Sequence, residues 1–230
     1  MKKRLIFFIA ITISFCLKSQ EKCGTKAYEQ FLCSKDIEYK EGREIVNYQT
    51  SKWIKENNPN IKNTIITIPV VVHIVWNTNQ QNITDSQVLS QIDVLNKDYR
   101  RTNIDLINTP SVWNAIAADC EIEFCLATID PQGNTTTGIT RTQTSQSSFS
   151  MNNSIKTTSS GGKDPWPNND YLNIWVCNLS GGLLGYATPP SSNISQWDGV
   201  VIGYRYFGTS GTAQSPYNKG RAGTHEVGHW

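Results

Sequence analysis

Gly223-Thr224-His225-Glu226-Val227-Gly228-His229-Trp230 closes the 230-residue sequence. His225 and His229 stand four residues apart, so on a helix both imidazoles lie on one face, one turn apart. Two neutral imidazoles at that spacing can chelate one Zn²⁺. Glu226 directly follows the first histidine, where its carboxylate can hold a water against the metal without ligating it and take the proton that zinc makes acidic. This is the physical reason for His-Glu-x-x-His in metallopeptidases, and it marks Glu226 as the candidate catalytic residue and His225 and His229 as candidate metal ligands. The competing reading is a surface helix whose two histidines bind nothing. Gly228 argues against it, because glycine lowers helix propensity and implies close packing near the metal. A catalytic zinc needs three protein ligands and an open position. The remaining histidine, His73, lies in an apolar run, where a strand histidine bonded to a neighbouring carbonyl or carboxylate is expected. The third ligand is therefore expected beyond Trp230, and the sequence reads as a fragment with a weak, two-ligand site.

Working outward, Ile68-Pro69-Val70-Val71-Val72-His73-Ile74-Val75 reads as a buried strand within 65–76. Thr84-Asp85-Ser86-Gln87 has the pattern of a capping box, and Val88, Ile92, Leu95 and Tyr99 follow at helical spacing to an end near Arg101. Segments 122–129, 171–176 and 199–204 read as strands, Pro131-Gln132-Gly133-Asn134 as a turn, and 185–188 as a short edge strand. The low-complexity stretches 142–148 and 156–162 read as surface loops. Strand, helix, several strands, then helix predicts a mixed α/β (α+β) sandwich with helices packed on a twisted sheet.

The N-terminus carries Lys2, Lys3 and Arg4 ahead of an apolar run from Leu5 to Leu17 that is too short for a comfortable membrane span. Residues 1–20 therefore read as a signal peptide cut near Ser19 or Gln20, and the mature chain as secreted and extracellular, with no membrane span. Phe15 disfavours a lipoprotein reading of Cys16. A net charge of +2 without a basic stripe gives no reason to expect a nucleic-acid partner. Export allows disulfides, but Cys23, Cys33, Cys120, Cys125 and Cys177 are odd in number, so at least one thiol is free, metal-bound or paired elsewhere. Residues 21–63 are polar, contain the breaker run Asn57-Asn58-Pro59-Asn60, and read as a propeptide-like extension ahead of the 64–230 unit.

The chain resembles the pappalysin family of metzincin zinc metallopeptidases, in particular its bacterial secreted branch, over about residues 68–230. The resemblance runs through Pro69 to His73, Gln91 to Asn96, Ile122 to Ala127, Thr137 to Arg141, Tyr171 to Cys177, Gly185 to Ala187, Asp198 to Val201 and the terminal motif. It implies a metzincin-like N-terminal subdomain: a twisted five-stranded mixed sheet and two main helices, the second carrying the zinc motif. It also implies a metalloendopeptidase with one catalytic zinc, a protein or peptide substrate, and room for Ca²⁺ at no assigned position. Gly185, Tyr186 and Ala187 would bind an extended substrate antiparallel to the edge strand. In some metzincins a propeptide cysteine blocks the zinc. Cys23 is a candidate for that role, and a Cys23–Cys33 disulfide stapling the extension is the alternative. A non-catalytic extracellular binding module on a peptidase-like fold remains the rival function.

Overall fold

In chain order the elements are α1 (Thr25–Lys35), α2 (Ile37–Glu56), β1 (Ile66–Trp76), α3 (Asp85–Tyr99), β2 (Ile122–Leu126), β3 (Ile139–Gln143), β4 (Leu172–Cys177), β5 (Gly185–Ala187), β6 (Val200–Gly203) and α4 (Arg221–His229). They come from a computed structural model that describes residues 22–56 and 64–230. The signal peptide and the Asn57–Asn60 breaker lie outside those residues.

β1 organises the sheet. Val70, Val72 and Ile74 face one side and Val71, His73 and Val75 the other, and all six are buried. Burial on both faces is why the strand reads as an unbroken apolar run. β2 pairs with its first half and β3 with its second, both parallel, while β4 runs parallel along its other edge. β6 continues the parallel order beyond β4, and β5 closes the sheet antiparallel. The expected five-stranded mixed sheet is thus five ranks wide, with two short strands sharing one rank.

α3 and α4 cover one face, where Val88, Ile92, Leu95 and Val227 meet Val72, Ile174, Val200 and Ile202. The Thr84 hydroxyl caps α3 by accepting the Gln87 N–H, but Gln87 does not complete the capping box. Its buried amide donates to the carbonyls of Tyr204 and Phe207 at 3.2 and 2.9 Å, and its oxygen accepts the Thr212 N–H at 3.0 Å. A fully buried amide must be satisfied, and here it braces the loop that leads from β6 towards α4.

The opposite face is covered partly by the extension. Tyr28 and Leu32, four residues apart on α1, and Tyr39 of α2 pack with Val75, Trp175, Tyr186 and Val201. So a segment that reads as polar supplies three core residues, two of them at helical spacing on α1. Lys156 corrects the loop reading of 156–162. It is fully buried, donating to Thr188 Oγ1 at 3.0 Å and to the Trp197 carbonyl at 2.6 Å, and burial draws its pKa down to about 7 against the opposing pull of Asp198. Thr142 likewise belongs to β3 rather than to a loop. His73 is a satisfied strand histidine, though its partners are the Thr140 hydroxyl at 2.8 Å and the Asn173 amide oxygen at 2.9 Å.

The glycine reading also changes. A Cβ at Gly228 would touch only the Tyr99 hydroxyl, at an ordinary 3.4 Å. A Cβ at Gly223 would fall 2.5 Å from Gln91 Nε2. Gln91 cannot yield freely, because it donates to the Gly220 carbonyl and accepts the Gly208 N–H. Gly223, not Gly228, permits the close approach of α3 and α4.

Two outcomes are expected. Gly223→Ala gains up to about 1 kcal/mol of helix propensity but costs about 1–3 kcal/mol in overpacking, so it lowers the thermal midpoint, whereas Gly228→Ala holds or raises it. A lower midpoint for Gly228→Ala alone would reverse the assignment. His73 is held neutral by burial, with its pKa lowered to about 4. The unfolded chain takes up this proton near pH 6.5 and the folded chain only near pH 4, so stability falls as the pH drops through that window, by about 3 kcal/mol at most. Denaturant melts of the parent and His73→Gln between pH 7 and pH 4 measure it, and equal slopes in both would refute it.

Candidate metal centre and active-site cleft

α4 is held at both ends. Arg221 pairs with Asp98 and Asp105, and the Thr224 hydroxyl donates to Asp98 Oδ2 at 2.6 Å. At the other end the Trp230 indole donates to Asp198 Oδ2 at 2.8 Å. Between these pins the helix turns Glu226 and Val227 inward, while His225 faces solvent. The Nε2 atoms of His225 and His229 lie 3.1 Å apart, on one face as their spacing requires.

Residues 22–25 lie across this face. Cys23 bridges Gly185 in parallel, the Gly24 N–H donates to the Gly185 carbonyl at 2.9 Å, and the Leu184 N–H donates to the Lys22 carbonyl at 2.8 Å. Cys23 Sγ comes to rest 3.5 Å from His229 Nε2 and 3.5 Å from Glu226 Oε2. The Thr25 hydroxyl donates to Glu226 Oε2 at 2.9 Å and accepts the Ala187 N–H at 2.9 Å. One side chain thus joins the candidate base to the edge strand. Gly185 is needed here, since a Cβ on it would stand 2.8 Å from Glu226 Cγ and 2.7 Å from the Val201 carbonyl.

The structure therefore brings His225, Glu226 and His229 together beside Gly185 and Ala187, whereas the Tyr186 ring turns to the opposite face, against Tyr28 and Trp175. Gly185, Tyr186 and Ala187 form the edge strand beside Glu226, yet all three are buried, because the chain's own 22–25 segment occupies the edge that was expected to be open to substrate. A further cavity of about 340 Å³ opens next to His225 and Glu226, between Lys22, Leu184, Tyr217 and Ala222.

The expected disulfide is a second difference: the five described cysteines are free thiols. Cys23 precedes α1 and Cys33 sits in its last turn. Nine helical residues span about 13 Å, well beyond the Cα separation a disulfide can bridge. Cys23 was the weaker of two sequence readings. Thr25 went unnoticed, since nothing in a lone threonine near the N-terminus signals that it will meet residue 226.

Cys23, His225, Glu226 and His229 offer ligand atoms within 4.8 Å of one another, and no other such group of three or more occurs among the described residues. Around a tetrahedral zinc ion, two imidazole nitrogens stand about 3.3 Å apart and a thiolate and an imidazole about 3.6 Å apart. The observed 3.1 and 3.5 Å match, so three soft donors could hold such an ion. The electrostatics agree. Burial, and then the neighbouring His225, lower the pKa of His229 against the pull of Glu29. Burial raises Glu226 to about 7 against hydrogen bonds from Thr25 and Cys23, and burial likewise raises the Cys23 thiol.

No protein-family model matches the chain. It is 29% identical over 233 residues to an extracellular metalloprotease of Arthroderma gypseum, covering 98% of this chain and 63% of that protein. The chain thus spans somewhat less than two thirds of that relative's length. A shorter stretch of 62 residues is 44% identical to an extracellular metalloprotease of Arthroderma otae, over 26% of this chain and 22% of that one. Among solved structures, mature mirolysin of Tannerella forsythia in complex with a cleaved peptide matches with a TM-score of 0.71 and 54% identity, over 74% of this chain and 64% of that one. A mutant of Tannerella forsythia promirolysin matches with a TM-score of 0.78 and 46% identity, over 91% of this chain and 68% of that one. With that identity and coverage added to the fold and the helix-borne histidine pair, the chain belongs to the pappalysin family of metzincin metallopeptidases.

Proposed function

We propose that the chain is the N-terminal part of a secreted zinc metalloendopeptidase, seen with its site closed by its own extension. The observation that carries this is that His225 Nε2 and Cys23 Sγ lie 3.1 and 3.5 Å from His229 Nε2, separations that suit a tetrahedral ion, with a Glu226 carboxylate oxygen within 4.8 Å of all three. The positive n-region followed by a short apolar run supports export, and the relatives are named extracellular.

His225 and His229 would hold the ion through their ring nitrogens. When bound, zinc supplies a Lewis acid that polarises the scissile carbonyl and acidifies a water. Glu226 takes the water's proton on its carboxylate and passes it to the leaving amine. Its burial suits both steps, because a carboxyl drawn up to about 7 accepts and returns a proton at neutral pH. β5 presents the Gly185 carbonyl and the Ala187 N–H to an extended peptide backbone, the same groups that residues 24 and 25 now satisfy. Because Cys23 bridges Gly185 in parallel, the 22–25 segment runs opposite to a substrate laid antiparallel to β5. It blocks the cleft without presenting a peptide bond in the orientation that the site would cut.

Two experiments on the full-length protein test this. Glu226→Gln is expected to keep the bound zinc while peptidase activity on an unfolded protein substrate falls about 10²–10⁴-fold. Activity within tenfold of the parent would remove Glu226 from the mechanism. Cys23→Ala, in protein that retains the extension, is expected to speed zinc loss to a competing chelator about tenfold or more, as removal of a thiolate donor demands. An unchanged rate would mean that the thiol sits beside the ion without holding it.

A further inference from the structure

The extension touches the 64–230 unit at a second place, away from the candidate metal centre. Tyr28 of α1 is fully buried. Its hydroxyl donates to Asn153 Oδ1 at 2.6 Å, its ring lies 4.7 Å from that of Tyr186, and the Lys156 ammonium stands 4.7 Å from its centroid. The same ammonium lies 5.2 Å from the Trp175 ring and 5.6 Å from the Tyr186 ring. Every element of this cage except Tyr28 belongs to the 64–230 unit. Lys156 makes no ion pair among the described residues, and Thr188 and Trp197 hold it by neutral oxygens. A fully buried ammonium without a contacting carboxylate is costly unless aromatic faces compensate, and Tyr28 supplies the nearest of the three. The cage thus matches a phenol on three counts: an acceptor for its hydroxyl, a ring beside it and a cation over its face.

We propose that Asn153, Lys156, Trp175 and Tyr186 form a tyrosyl-binding site, filled in cis by Tyr28, which anchors the extension on the catalytic unit independently of the metal. This rests on reading residues 22–56 as a restraint on the site. It adds that the restraint has two separable parts. The thiol and Thr25 lie across the chemistry, and the tyrosine keeps them there when zinc is absent. Loss of the metal alone then leaves the cleft covered, and opening it requires Tyr28 to leave its cage.

The test uses full-length protein carrying the extension, stripped of metal by a chelator at pH 6, where Lys156 is protonated. Two rates are read by mass spectrometry: alkylation of Cys23, and hydrogen exchange of the amides around Gly24 and Leu184. In the parent both sites are expected to be protected without metal. Tyr28→Ala should raise both rates tenfold or more, while the β1 and β4 amides stay protected and show that the sheet remains folded. Tyr28→Phe should raise them severalfold, and Tyr28→Phe combined with Asn153→Ala no further than either change alone, because both remove one hydrogen bond. Lys156→Met, which keeps the chain's length but removes the charge, should also raise them severalfold. Parental rates in Tyr28→Ala, or an unprotected Cys23 in the metal-free parent, would overturn the anchor. Parental rates in Lys156→Met would overturn the part given to the ammonium. None of these readouts needs zinc or turnover, so failure here is distinct from failure of Glu226→Gln.

Discussion

Two imidazole nitrogens 3.1 Å apart form a useful site only if the helix bearing them neither rolls nor slides. The rest of the structure depends on that constraint on α4. α3 sets how closely the helix approaches, through the bare backbone of Gly223 against Gln91. Asp98 fixes the start of the helix through Arg221 and Thr224, and Asp198 fixes its end through Trp230. Val227, on the inward side, is buried in the core cluster that includes Val200 and Ile202. Sheet, helix and pins together set the position of Glu226, which is buried 2.8 Å from where a Cβ on Gly185 would be. The edge strand and the zinc-motif helix meet at a glycine because nothing larger fits between them.

The extension works within the same constraint. A segment of modest hydrophobicity holds a place on the protein because Tyr28 and Leu32 share one face of α1, Tyr39 joins them from α2, and the sheet offers a partly polar, partly aromatic surface to receive them. Tyr28, Leu32 and Tyr39 provide the burial, and backbone pairing of residues 22–24 with β5 provides the register. With the register set, Cys23 falls on the histidines and Thr25 on the glutamate without any further adjustment of the chain. Covering an exposed strand edge also removes an aggregation hazard, so the contact that closes the site protects β5 as well.

Much of this was legible in the residues. The helix carrying His225, Glu226 and His229 follows from spacing alone, because a 3.6-residue period leaves no other way to bring two imidazoles together within five positions. β1, β4 and β6 follow from runs of β-branched residues, and α3 from its Thr84 cap and the periodicity of Val88, Ile92 and Leu95. What was misread has a common cause: polar groups whose partners lie far away along the chain. Gln87 looked like half of a local capping box and serves a loop more than a hundred residues later. Lys156 looked like part of a polar loop and is buried among rings contributed by residues 28, 175 and 186. Gln91 drew no notice and, bonded to Gly208 and Gly220 far along the chain, makes Gly223 rather than Gly228 the spacer.

The sequence by itself determined the local chemistry: which side chains share a helix face, which segments must be strands, and that two imidazoles and a carboxylate fall within five residues of one helix. These are short-range matters, settled by backbone periodicity and ligand preference. Only the tertiary structure decided what closes the site. Cys23 and Glu226 are 203 residues apart, and no local pattern records that the thiol lies 3.5 Å from the carboxylate instead of pairing with Cys33. That outcome depends on how α1 seats against β5, which is a sum of burial, backbone pairing and the fit of one tyrosine into its cage. Such contacts exist only once the chain has folded, because their energy comes from surfaces assembled from distant segments.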